Sequence, residues 1–434
     1  MAILRALFVF LFLLILPLSA QSKALTFTLK QAVEHALDAN PSVEAKLLAI
    51  EKAEMDVLAT GGYFLPRVTL LWNRGKLENT GAVGTEEDYS NWSLSKGIRV
   101  QLSLFAGFMH LNSVGKALLQ VSVEEARHDL AKLELIGNIQ LHFLELLKAR
   151  EDMKTVRDSK KRIDTQLKAA KAFVDEGMAP QLNVLQNEVE LSKVQQQEIR
   201  VTNTIRSSEA MLNRFLGYDP KMQVHYKGSL QEFNGAINYT EEEAIDMAMR
   251  NRPDLIIAHK SVALALKQSH ITAGRYLPNV NAYYDNMRAS KVYSDRKDYA
   301  RSYWGAGVNV SWDVFDGGQT TFTYISDRKA AASLRKDYED AMAAARVSVI
   351  RALLDVKAAK ELITTSRKGM TAAKEGYDMA NGRYQTSVGT ITELLDAQVN
   401  LTQAEEDYSR ALSEYHAARS RFFYNIGVEN RGLQ

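Results

Sequence analysis

The chain has 434 residues, 46% of them hydrophobic and 24% charged, a globular composition and not a disordered one. Lysine and arginine number 54 against 52 aspartates and glutamates. The excess is Arg5 and Lys23 near the N-terminus, and the neutral remainder gives no electrostatic case for a nucleic-acid partner. No cysteine is present, which excludes disulfides and the cysteine-linked lipid of a bacterial lipoprotein.

Arg5 precedes an apolar run from Ala6 to Leu18, followed by small and polar residues at Ser19, Ala20 and Ser22. This layout predicts a secretory signal peptide over 1–24, cleaved after Ala24 (Ser22-Lys23-Ala24) or after Ala20. The alternative is an uncleaved anchor helix, but the run falls short of the ~20 apolar residues a membrane span needs. No later segment approaches a transmembrane helix, so a mature chain that crosses a membrane must use strands of a closed barrel.

The remainder reads as two copies of one unit. Tyr63-Phe64-Leu65-Pro66 reappears as Tyr276-Leu277-Pro278, and Asn40-Pro41 as Arg252-Pro253, both 212 residues on. Leu104-Phe105-Ala106-Gly107 and Leu216-Gly217 reappear 210 residues on, as Val314-Phe315-Asp316-Gly317 and Ile426-Gly427. The expected organisation is a first repeat over 25–217, a linker over 218–238 and a second repeat over 239–434. Each unit is far longer than a solenoid repeat.

In chain order, each unit opens with a short helix and then turns β-like. Val68, Leu70 and Trp72 alternate with Arg67, Thr69 and Asn73; Ile98, Val100, Leu102 and Leu104 alternate with Arg99, Gln101 and Ser103. The second unit repeats the pattern at Val280, Ala282 and Tyr284 and at Trp304, Ala306, Val308, Val310 and Trp312. Strands of ~10 residues with one apolar and one polar face suit a barrel with lipid outside and water inside. All four tryptophans, Trp72, Trp92, Trp304 and Trp312, lie in or beside these strands, as interfacial belts require. A soluble antiparallel sheet with one face on a core shows the same alternation. Polar loops join the strands over 76–90 and 290–301. Four strands cannot close a barrel, since single-chain barrels start at about eight, so a membrane reading makes the protein an oligomer.

After the strands come proline-free tracts, about 113–175 and 326–384. Proline inside a helix costs about 3 kcal/mol, and ~60 uninterrupted residues make a helix of ~90 Å. The last element of each unit carries heptads. Leu394, Leu401, Tyr408, Tyr415 and Phe422 fall seven apart, with Ala397, Ala404, Ala411 and Ala418 in the complementary position. The first copy reads Val184, Leu191, Glu198, Ile205 and Leu212, with exceptions at Glu198, Asn187 and Ser208. The pattern predicts a left-handed coiled coil.

Together these residues resemble the TolC family of outer-membrane efflux proteins. The resemblance rests on Tyr63-Phe64-Leu65-Pro66-Arg67-Val68, on the two Phe-x-Gly turns, and most specifically on the run from Tyr384 through Thr386-Ser387-Val388-Gly389-Thr390 to Glu393-Leu394-Leu395-Asp396-Ala397-Gln398. It implies an α+β membrane protein in the outer membrane: a homotrimeric 12-stranded β-barrel, four strands per chain, continuous with a coiled-coil periplasmic tunnel. It implies a passive exit duct of a tripartite efflux or type I secretion system. The partners are a periplasmic adaptor (membrane fusion) protein and an inner-membrane RND or ABC pump. The tunnel closes near the helix turns Glu176-Gly177-Met178 and Thr386-Ser387-Val388, which face the adaptor, and aligning on Leu-Asp-Ala puts the aperture acids at Glu393 and Asp396. Read without the resemblance, both acids are equally well first-turn residues that favour a helix N-terminus.

No residues support an enzyme or a cofactor. The eight histidines show no metal-ligand spacing, and neither a Gly-x-Ser-x-Gly elbow nor a phosphate-cradling glycine loop occurs. The competing reading is a soluble periplasmic coiled-coil scaffold or adaptor.

Overall fold

The computed structural model describes residues 25–79, 89–230, 237–293 and 296–431. The expected signal peptide lies outside them, as do 80–88 and 294–295 of the polar loops and 231–236 of the linker.

Strand β1 (Leu25–Thr28) runs into helix α1 (Leu29–Ala39), whose start is closed by a reciprocal capping box between Thr28 and Gln31. Helix α2 (Pro41–Gly61) starts on Pro41, where its missing N–H costs nothing, and Asn40 caps it by accepting from the Ser42 N–H. A 3-10 turn and Pro66 then force the chain into extended backbone. Strands β2 (Arg67–Asn79) and β3 (Tyr89–Ala106) follow, then α3 (Met109–Asp175), α4 (Leu182–Phe215) and β4 (Val224–Lys227), which pairs in parallel with β1. The same order of helix and strand lengths comes next: α5 (Glu241–Asn251), α6 (Pro253–Ala273), β5 (Asn279–Tyr293), β6 (Arg296–Ser311), α7 (Gln319–Gln385) and α8 (Ile391–Asn425).

The strands are longer than the expected ~10 residues, at 13, 18, 15 and 16. They extend beyond the alternating stretch into polar sequence that pairs through the backbone. They form one antiparallel sheet in the order β2-β3-β5-β6, leaving β2 and β6 at its edges. Helices α3 and α7, at 67 residues each, begin before the expected Ser113 and Ser326 and are about 100 Å long.

Near the sheet the helices contact one another in the row α2–α3–α6–α7, and farther down in the row α4–α3–α8–α7. Two cores sit at mid-height. One joins α1, Ile139 and Phe143 of α3, Leu212 of α4 and Tyr226 of β4; the other joins α5, Val349 and Leu353 of α7, and Tyr415 and Phe422 of α8. The heptad residues Leu394, Leu401, Tyr415 and Phe422 are buried as their spacing requires. The exceptions in the first copy have local explanations. Glu198 pairs with Lys160 at 2.8 Å across α3 and α4, and buried Asn187 donates to the Asn183 carbonyl one turn back.

The proline and glycine landmarks meet in space. Asn40 Nδ2 donates to the Phe215 carbonyl at 2.8 Å, while Arg252 Nη1 donates to the Asn425 carbonyl at 3.4 Å. Gly217 and Gly427 end α4 and α8 with positive φ, and each presses against the last residues of α1 or α5. A Cβ on Gly217 would sit 2.9 Å from the Ala39 carbonyl oxygen.

Candidate functional site

The sheet has two chemically different faces, and its register fixes which residue lies on which. Rows such as Leu70–Ile98–Asn286–Trp304 and Val68–Val100–Tyr284–Ala306 alternate with Arg67–Gln101–Tyr283–Gly307 and Thr69–Arg99–Asp285–Gly305. Trp72, Trp304 and Trp312 are 69%, 72% and 58% exposed, which large indoles tolerate poorly in water and well at a lipid interface. Trp304 and Trp312 share a parity and bracket Ala306, Val308 and Val310. Eight residues span ~27 Å along a strand, or ~20 Å of height at a 40° tilt, close to the ~25 Å band between the aromatic girdles of outer-membrane barrels. On the other face Arg99 and Asp285, direct cross-strand partners, form a two-pronged ion pair at 2.8 and 3.3 Å. A charged pair with polar neighbours belongs on a hydrated wall.

At the far end of the long helices lie the two expected turns. Glu176 ends α3 and Gly177 has φ +72°; the Met178 N–H donates to the Phe173 carbonyl and the Gly177 N–H to that of Val174. The second turn repeats these bonds: Val388 to Arg383 and Ser387 to Tyr384, with Ser387 at φ +59°. Both are Schellman closures, whose left-handed position glycine fills at least cost, and Ser387 carries a side chain there. Phe173 and Tyr384 meet edge-on at 5.9 Å in a small core with Ile391, Leu394 and Leu395, which brings the two turns to the same end of the molecule.

Glu393 and Asp396 lie exposed on the first turns of α8, while Leu394 and Leu395 between them face that core. Thr390 caps the helix by accepting from the Glu393 N–H. The Glu393 carboxylate also stands 3.7 Å from Arg383, a solvated contact with both side chains more than half exposed. Sequence reasoning missed this cation.

It also missed the polar seam above the tips, where α3 meets α7 and α8. Arg162 of α3 pairs with Glu405 at 3.1 Å and lies over the Tyr377 ring at 5.8 Å. Gln166 donates to the Tyr377 hydroxyl, and buried Gln398 donates to Ser159 and Thr402. A groove of about 260 Å³ runs beside the seam, lined by Ser159, Glu190, Lys193, Gln398, Thr402 and Glu406. Burial, then the nearby Asp152 carboxylate, push the Glu406 carboxyl above its ordinary range, against the pull of Lys148 and Arg410.

Among the described residues no group of histidine and acidic side chains is arranged to hold a metal, and no helix is long and apolar enough to cross a membrane. A two-faced amphipathic sheet continuous with helices of about 100 Å is a wall segment of an outer-membrane channel-tunnel.

Comparison with known proteins agrees. The family model described as outer membrane efflux protein matches residues 32–218 and again 244–427. The chain belongs to that family. It is 20% identical over 383 residues to the outer membrane efflux protein BepC of Brucella suis, covering 87% of this chain and 80% of the relative. The structure of the outer-membrane channel OprN superposes with a TM-score of 0.81 at 18% identity, over 92% of this chain and 90% of that one. That of the outer membrane protein VceC of Vibrio cholerae gives 0.78 at 15% identity, over 92% and 96%. The protein is thus an efflux channel chain of the outer membrane, extending into the periplasm, and the soluble scaffold or adaptor reading is not favoured.

Proposed function

We propose that three copies of the chain close into one duct, a 12-stranded barrel above a tunnel of packed helices, through which cargo leaves passively. The observation that carries this reading is the set of unpartnered edges. β2 and β6 are free sheet edges. Exposed Leu48, Met55 and Leu58 of α2 and Leu182, Val189 and Ile199 of α4 lie on elements at one end of the helix rows; exposed Phe322, Leu354 and Met379 lie on α7 at the other. One edge differs from the other, so the contact is heterologous and must close as a ring. Two copies supply eight strands, a barrel filled by its own side chains, so three is the smallest number that leaves a hydrated bore.

At the tips, three copies of Glu393 and Asp396 set six carboxylates around the aperture, with Arg383 beside each Glu393. Such a ring attracts cations and repels anions. The turns 176–178 and 386–388 are the docking points for a periplasmic adaptor, which couples the duct to an inner-membrane RND or ABC pump. The cargo is small molecules, or proteins in a type I secretion system. The reading is tested by whether the purified protein runs as an SDS-resistant trimer and conducts in planar lipid bilayers. Glu393→Ala with Asp396→Ala is expected to lower both cation conductance and cation preference; unchanged values remove those residues from the aperture, and a water-soluble monomer without conductance refutes the duct.

A further inference from the structure

The outward face of the sheet carries cations toward its loop end and none toward its helix end. One row beyond Leu70–Ile98–Asn286–Trp304, the register places Trp72, Lys96, Arg288 and Ser302 side by side, with Lys96 directly opposite Arg288. Arg74 and Lys76 continue the same parity along β2, opposite Leu94 and Trp92 of β3. Lys96, Arg288, Arg74 and Lys76 are all exposed. At the other end of this face the corresponding positions are Phe105, Val280 and Val310, without a charge.

Like charges directly opposite on antiparallel strands destabilise the pair, and neither Lys96 nor Arg288 has a carboxylate across the sheet in its row. The next acidic position of this parity in β2 is Glu78, three rows farther on. A pair of cations in this setting is stabilised by an anion held between them. The depth fits a headgroup: two residues past the Trp304 girdle is ~7 Å along the strand, or ~5 Å beyond the apolar band after tilt. This end carries the strand-joining loops, opposite the helices, and so faces the outer leaflet.

We propose that Lys96 and Arg288 form a binding site for the phosphate groups of an outer-leaflet lipid, whose acyl chains lie along Leu70, Ile98 and Trp304. Arg288 meets phosphate oxygens through paired N–H groups, and Lys96 acts as a point charge. The site rests on the barrel reading above, since it requires this face to meet lipid.

The test is native mass spectrometry of the detergent-solubilised full-length oligomer titrated with bis-phosphorylated lipid A and, in parallel, with the same lipid stripped of phosphate. The wild type is expected to prefer the phosphorylated lipid. Lys96→Gln with Arg288→Gln is expected to weaken its retention about 25-fold, the loss of two interfacial cations, and to leave the stripped lipid unaffected. Lys221→Gln with Lys227→Gln, which removes the same charge from the periplasmic segment, is expected to change nothing. Inorganic phosphate at equal concentration is expected not to compete, because it lacks the chains. Equal retention of both lipids by the wild type, equal loss in the two double variants, or displacement by inorganic phosphate overturns the site. Insertion and conductance in vesicles are measured on the same samples: a wild type that inserts but shows no phosphate preference sinks this inference alone, and one that does not insert sinks the duct.

Discussion

Under the duct reading, an opening of the tips that moved the α7–α8 pair relative to α3 would break the Arg162 contacts. The guanidinium makes a two-pronged pair with Glu405, at 3.1 and 3.5 Å, and stands 5.8 Å over the Tyr377 ring. Both charged side chains are about a quarter exposed, so solvent screens the pair to about 1 kcal/mol, and the cation–π contact adds about 0.5 kcal/mol. Over the three copies of the proposed ring that would be about 4–5 kcal/mol favouring the packed arrangement of the tips, or about a thousandfold in its equilibrium with an opened one. Arg162→Ala is therefore expected to turn a mostly closed channel into a frequently open one in single-channel recordings at neutral pH. Glu405→Ala should have a smaller effect, since Arg162 keeps Tyr377, and the double variant should add little to Arg162→Ala alone. An open probability for Arg162→Ala equal to wild type would show that the seam does not hold the tips shut. Full additivity of the two substitutions would show that the pair is not a coupled unit.

Ser387→Gly relieves a left-handed backbone position and is expected to stabilise the tip by about 0.5–1 kcal/mol, read as slower hydrogen exchange over 380–395. Gly217→Ala combines positive φ with a Cβ 2.9 Å from the Ala39 oxygen, whereas Gly177→Ala has the same strain and open space. The first should cost about 2–3 kcal/mol and the second about 1 kcal/mol in denaturant unfolding, and equal costs would remove the packing contribution. Glu406 has a raised folded-state pKa, so the folded protein binds its proton more readily than the unfolded chain, and ionisation weakens the fold above the unfolded value. Glu406→Gln is expected to stabilise near neutral pH, with the gain disappearing as pH falls below the ordinary glutamate range; a gain independent of pH contradicts the assignment.

Periodicity made most of this architecture legible, because each pattern had one physical outlet. The alternation at Ile98, Val100 and Leu102 can lie only on a two-faced strand, and the proline-free tracts permit long helices without requiring their length. Helix starts were misplaced by several residues because Met109 and Gln319 follow turns set by backbone conformation at Gly107, Phe108, Gly317 and Gly318, where composition does not change. Strand lengths were underestimated for a similar reason, since the outer half of β2 carries no alternation. The polar seam stayed hidden because Arg162, Gln166 and Glu405 read as ordinary charged helix surface. Only a third helix laid across them turns them into a contact. Glu393 and Asp396 were put forward by resemblance alone, and their exposed setting on α8 is compatible with either an aperture or a helix-capping role.

The two long helices have equal length and different fates within one chain. Helix α3 buries residues along its whole course, from Val123 to Ala170, because it stands in the middle of both helix rows. Helix α7 stands at the end of both, and large apolar side chains stay exposed along it, at Phe322, Ile325, Val347, Leu354, Leu362 and Met379. A helix of that length with an uncovered apolar stripe is not stable in water on its own propensity, since helices owe most of their stability to packing. The stripe has the same span as the stack of α2 and α4, whose exposed leucines and valines lie at the opposite edge. A neighbouring copy that brings α2 and α4 against α7 gives it the surroundings α3 already has, and the same step sets β2 beside β6. One contact would therefore satisfy the sheet edge, the upper helices and the lower helices together, and that is the physical ground for proposing a closed ring over a single chain.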